Sequence, residues 1–162
     1  MNNNDKKILI AYFSWGGNTK TIAEKIQDKV DSDIFRIEPE TPYPKNYNEA
    51  VYNAKKQHEE NIHPELKENI DISNYDTIFV GTPAWWFTMA PPVMTFLEKN
   101  NFEGKTIIPF ITHGGGGGYK ISDDMEKLAK GSKVLPPLVV FGGGDINYDK
   151  EITLWLEKFV IK

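Results

Sequence analysis

The strongest constraint in this chain is an alternation. Five apolar runs of strand length, 7–13, 34–38, 77–81, 106–112 and 138–141, are separated by segments of helical period. Most of the runs are continuous rather than alternating, which is the pattern of strands buried on both faces of a parallel sheet. Between them, Ile22, Ile26 and Val30 recur at four-residue steps on a helix that starts near Asn18 or Thr19. Tyr47, Val51, Ala54 and His58 mark a weaker stripe, and Val93, Phe96 and Leu97 follow Pro91-Pro92, prolines being well placed in a first helical turn. Ile121, Met125 and Leu128 form the next stripe, with Gly131 as its C-terminal cap. Ile152, Trp155, Leu156 and Phe159 form the last. Five strands and five helices in alternation predict an α/β fold, a three-layer α/β/α sandwich.

The length, 162 residues, fits one domain spanning 1–162. The polar, proline-punctuated stretch 39–74 is read as a crossover helix flanked by surface loops. The absence of cysteine excludes disulfides, thiolate metal sites and cysteine nucleophiles. Net charge is -4 and Arg36 is the only arginine, which argues against a nucleic-acid partner and leaves no obvious clamp for a second phosphate group. No segment approaches the ~20 apolar residues of a membrane span, and residues 1–13 lack the pattern of a signal peptide. The expectation is a cytoplasmic protein.

Ligands of open α/β sheets bind beyond the carboxyl ends of the strands, so the segments just after each strand matter most. The first strand is followed by Ser14-Trp15-Gly16-Gly17-Asn18-Thr19 and then a helix. Backbone N–H groups, hydroxyls and the helix dipole converge there on an anion site. Neither a triphosphate loop with its lysine nor a Gly-x-Gly-x-x-Gly fingerprint is present, so a monophosphate is the better match. A capped tight turn without ligand is the alternative. The third strand leads into Thr82-Pro83-Ala84-Trp85-Trp86-Phe87, whose adjacent aromatics can grip a flat ring or pack as core. The fourth leads into Thr112-His113 and Gly114–Gly118, where main chain can reach the polar edge of a ring, or a loop can simply be flexible. His113 can serve a reduced, anionic ring or be structural. Gly142-Gly143-Gly144-Asp145 follows the fifth strand and is not assigned to a cofactor.

These three loops in this order resemble the flavodoxin family, in particular its branch with Trp-Trp and Thr-His-Gly-Gly loops, from about Lys7 to Phe159. The resemblance implies a five-stranded parallel sheet of order 2-1-3-4-5 with FMN at the switch point. It implies that Ser14, Gly16, Gly17, Asn18 and Thr19 hold the FMN phosphate. Thr82, Pro83, Ala84, Trp85, Trp86 and Phe87 would flank one side of the isoalloxazine, and Thr112, His113, Gly114, Gly117 and Gly118 the other. The chain departs from electron-carrier flavodoxins in its mild acidity and in lacking a glycine in the third-strand loop. It has no long insertion in the last strand, and its extra length lies between strands two and three. The implied activity is electron transfer through non-covalent FMN to redox partner proteins or a small acceptor. The alternatives are an FMN-dependent NAD(P)H oxidoreductase acting on quinones or other small acceptors, and a scaffold that has lost its cofactor.

Overall fold

A computed structural model describes residues 7–142 and 146–159. In chain order its elements are β1 (Ile8–Tyr12), α1 (Asn18–Lys29), β2 (Asp33–Arg36), α2 (Tyr47–Glu59), β3 (Thr77–Trp85), β4 (Thr88–Met89), α3 (Pro91–Lys99), β5 (Thr106–His113), α4 (Ile121–Leu128), β6 (Lys133–Val134), β7 (Leu138–Phe141) and α5 (Asp149–Glu157). The sheet runs β2-β1-β3-β5, and β5 carries both β6 and β7 on its far side. All these pairs are parallel, while β4 runs antiparallel against β3.

The continuous apolar runs are where burial is deepest. Every residue of β1 is buried, as are Ile107 to Thr112 of β5. One face of the sheet packs on Ile22, Ala23 and Ile26 of α1 and Ile152, Trp155 and Leu156 of α5. The other face packs on Val93, Phe96 and Leu97 of α3 and Ile121 and Met125 of α4. Helix α2 lies against α3 and β3, buries Ala50 and Ala54, and is capped by the Asn46 side chain, which accepts from the Glu49 N–H. The result is the expected three-layer α/β/α sandwich.

The strand order differs from the expected five-strand path in two places, and prolines mark both. The expected last strand has a partner, β6, and the two share the far side of β5 with a gap between them. The Leu135 N–H donates to the Ile107 carbonyl, so Pro109, two residues on, turns its donorless nitrogen toward the same neighbour. There the neighbouring strand is interrupted by Pro136-Pro137, and no ladder hydrogen bond is lost. The second place is β3, which runs four residues past its expected end at Gly81. The Gly81 carbonyl accepts from Phe13 N–H on the β1 side. Pro83 faces that same side, where β1 has already ended, while β3 stays paired with β5 as far as Pro83 opposite Thr112.

Gly81 also sits where no side chain fits. An added Cβ would lie 2.2 Å from the Phe110 ring. Gly81→Ala is therefore expected to destabilise the fold by about 1–3 kcal/mol. Urea unfolding should show this, with part of the loss recovered in the Gly81→Ala/Phe110→Leu double variant.

Candidate functional site

The carboxyl ends of β1, β3 and β5 enclose a cavity of about 240 Å³. From the first loop it takes Ser14, Gly16, Asn18 and Thr19; from the third, Pro83, Ala84 and Trp85; from the β5 end, Thr112, His113 and Gly114. These ten residues, spread over a hundred positions of sequence, share one wall surface. Gly17, Thr82, Trp86, Phe87, Gly117 and Gly118 do not line it.

The floor is the start of α1. Gly17 adopts φ 103°, a conformation costly for other residues, and no side chain caps the helix. The N–H groups of the first turn therefore have no intrahelical acceptor, and the helix dipole adds positive potential at the same point. Ser14 Oγ accepts from the Gly17 N–H at 3.0 Å, fixing the turn that delivers these donors. Thr19 and Thr112 share a buried hydroxyl–hydroxyl hydrogen bond of 2.8 Å, which ties the loop to the end of β5. The Asn18 amide donates to the Gly142 carbonyl at 3.1 Å. An uncapped helix start flanked by hydroxyls and an amide suits a phosphate dianion.

Three of the residues outside the wall, Thr82, Trp86 and Phe87, have a local reason. Thr82 is buried, its hydroxyl donating to the Pro83 carbonyl and accepting from the Ala90 N–H, so it holds the β3–β4 hairpin together. Trp86 and Phe87 form the two-residue turn of that hairpin at φ 54° and 70°. Both lie in the left-handed region, costing about 1–2 kcal/mol per residue, and neither side chain lines the cavity. The Trp86 Nε1–H donates to the Val51 carbonyl on α2 at 2.8 Å, with Lys55 Nζ 5.2 Å from its ring centroid. Phe87 meets Tyr119 edge-on at 5.2 Å. Gly142 lies in the wall; Gly143, Gly144 and Asp145 fall outside the described residues.

Besides Gly142, two wall residues lie outside the site assigned from sequence, Trp15 and Tyr47. Trp15 lies inside the first loop motif, and an aromatic between a serine and two glycines was a usable signal. Tyr47 opens α2 and meets Trp15 edge-on at 5.7 Å; nothing local marks it. The Trp15 Nε1–H donates to the Pro44 carbonyl at 3.0 Å. The stretch 39–74 thus reaches the cavity through Tyr47 in its wall and through Pro44, which holds Trp15. His113 is edge-on to Phe141 at 5.9 Å, and its Nδ1 accepts from the Gly115 N–H at 3.0 Å. In the neutral ring the proton is thereby assigned to Nε2, which is left as a donor.

His58, on α2 behind the hairpin, bears on pH. Burial holds its pKa below the ordinary histidine value, His63 adds to the shift, and the backbone of Trp85 and Met89 offsets part of it. Its buried Nε2 has no hydrogen-bond partner among the described residues. The folded state therefore binds its proton less readily than the unfolded chain, so stability is full above about pH 6.5 and falls on acidification. The expected result is a thermal midpoint that drops between pH 7 and pH 5, with a smaller drop in His58→Gln. An equal drop in both proteins would remove His58 as the cause.

A parallel sheet with an anion-receiving helix start and aromatic walls at its switch point defines a nucleotide-binding α/β protein. The chain belongs to the flavodoxin family: the family model described as Flavodoxin matches residues 7–159. Among solved structures, a flavoprotein in complex with FMN from Lactobacillus acidophilus is 29% identical, with 94% of this chain and 99% of that chain covered and a TM-score of 0.73. A protein of Bacteroides eggerthii assigned as a flavoprotein is also 29% identical, with 98% and 100% covered and a TM-score of 0.81. Flavodoxin 2 from Bacillus cereus, at 19% identity, 94% and 99% coverage and a TM-score of 0.56, shares the fold.

Proposed function

We propose that this flavodoxin holds one FMN non-covalently in the cavity and passes electrons through it to a redox partner protein or a small acceptor in the cytoplasm. The observation that carries the reading is the uncapped start of α1, opening on a cavity walled by Trp15, Trp85, Tyr47 and His113. Ser14, Gly16, Asn18 and Thr19 receive the phosphate, with Gly17 setting the turn. Pro83, Ala84 and Trp85 face one side of the ring system, and Thr112, His113 and Gly114 the other. When bound, FMN supplies one- and two-electron redox chemistry, while the protein binds, orients and excludes water. His113, with Nδ1 engaged, offers Nε2–H as a donor to a ring that gains negative charge. Among the described residues no helix is long and apolar enough to cross a membrane, and no group of histidine, aspartate and glutamate is arranged to hold a metal ion.

The test is a visible absorption spectrum of protein mixed with FMN and passed through gel filtration, followed by anaerobic titration with dithionite. Flavin bands that travel with the protein are expected, with reduction in two separable one-electron steps. Reduction in a single two-electron step would favour the NAD(P)H oxidoreductase reading over the carrier. A colourless protein would overturn the cofactor assignment.

A further inference from the structure

The one arginine of the chain lies on a second cavity, immediately beyond Trp15. This cavity, about 360 Å³, shares Ser14, Trp15 and Gly16 with the first and opens past the carboxyl ends of β1 and β2. Its floor is apolar: Phe13 and Ile37 are buried core residues and Pro39 is buried beside them. Pro42 and Tyr43 form an aromatic and proline wall, and Arg36, Glu38 and Lys45 bring charge to the same space. The wall is held in place. Tyr43 meets Phe13 edge-on at 5.8 Å and Trp85 at 5.2 Å, and its hydroxyl donates to Gln57. Arg36 is held too, one Nη2–H on the Ser14 carbonyl at 3.1 Å and its guanidinium 5.9 Å from the Tyr12 ring centroid. A guanidinium carries five donors, so this anchoring leaves most of them for a ligand.

The chemistry of the space is that of a phosphorylated nucleoside. A flat base needs an apolar slot with an aromatic side, a ribose needs an acceptor for its hydroxyls, and a phosphate needs cations with fork geometry. In dinucleotide-binding Rossmann sheets, an acidic residue about 20 positions past the first loop takes the ribose 2′-hydroxyl, or a nearby arginine takes a 2′-phosphate in its place. Glu38 and Arg36 supply those two residue types at the end of β2.

We propose that this cavity is a second ligand site, for adenosine carrying a phosphate on its ribose. The base lies on Phe13, Ile37 and Tyr43, Glu38 accepts from the ribose, and Arg36 and Lys45 receive the phosphate. Such a ligand is the adenosine end of a pyridine nucleotide, so the site would place a reductant beside the cofactor. That consequence rests on the FMN reading; the binding itself does not.

The test is calorimetric titration of the full chain with adenosine 2′,5′-bisphosphate, once without FMN and once with the protein saturated with FMN. One saturable site is expected in both, with unphosphorylated adenosine and inorganic phosphate each binding more weakly. Arg36→Met and Lys45→Met should each weaken the bisphosphate by about tenfold or more, the loss expected for a charge-assisted hydrogen bond. Lys45 is exposed, so its variant keeps the test valid if Arg36→Met disturbs the Ser14 loop. No saturable binding, displacement by FMN, or unchanged affinity in Lys45→Met would each overturn the proposal. A protein that retains FMN but not the bisphosphate would sink this site alone. One that binds the bisphosphate but retains no FMN would sink the cofactor reading and leave the site standing.

Discussion

Replacing Ser14, Asn18 and Thr19 together by alanine is expected to weaken FMN binding by at least about a hundredfold. A hydrogen bond to a charged phosphate contributes about 1.5–3 kcal/mol, so three independent losses would exceed a thousandfold. The losses are not independent here. Ser14 Oγ also holds the Gly17 N–H, Asn18 also holds the Gly142 carbonyl, and Thr19 also holds Thr112. The main-chain donors of the α1 first turn survive all three substitutions, which keeps the expected loss below the simple sum. Quenching of flavin fluorescence on titration would measure it. An affinity equal to that of the parent would remove this loop from the site.

Phe96→Ala is expected to be the most damaging single change to stability, at about 3–5 kcal/mol. Phe96 is fully buried on α3, stacked against Phe35 at 6.3 Å and edge-on to Phe102 at 5.8 Å. Its removal therefore strips the contact between α3, the edge strand β2 and the turn before β5 in one step. The space left is lined by the Phe35 and Phe102 rings, so the expected cost, about 3–5 kcal/mol, is that of an unfilled aromatic cavity. Chemical denaturation should show a lower midpoint with an unchanged denaturant slope. A loss under 1 kcal/mol would mean the rings repack.

The large strands were legible because burial on both faces leaves a plain mark in sequence, an unbroken apolar run such as Ile8 to Tyr12. The short ones were not. β4 and β6 have two residues each, too few for any period, and the continuation of β3 through Pro83 depends on where β1 stops, which the local sequence does not carry. The same limit applies to the site. Residues next to a strand end could be assigned from their local order, and Ser14, Asn18, Trp85 and His113 do meet around one cavity. Trp86 and Phe87 carry the same chemistry as Trp85, but two left-handed φ angles turn them elsewhere, and side-chain type says nothing about that. Tyr47 arrives from a different crossover entirely, so only the folded chain could bring it to Trp15. A single arginine offers no obvious phosphate clamp in sequence; the residues that share its cavity, Trp15, Tyr43 and Lys45, lie seven or more positions away.

The break opposite Pro109 has a consequence for how this molecule behaves in a crowded cell. The outer side of the sheet presents Val139 and Phe141 to solvent, 39% and 46% exposed. A long, flat, apolar border of that kind is a template on which other chains can add strands and aggregate. Pro136-Pro137 cuts the border into stretches of two and four residues, and neither proline can donate to an incoming backbone. Short, interrupted borders are poor seeds. The prolines that divide the last strand thus act as guards against self-association, and they do so without cost to the cavity at the other end of the sheet.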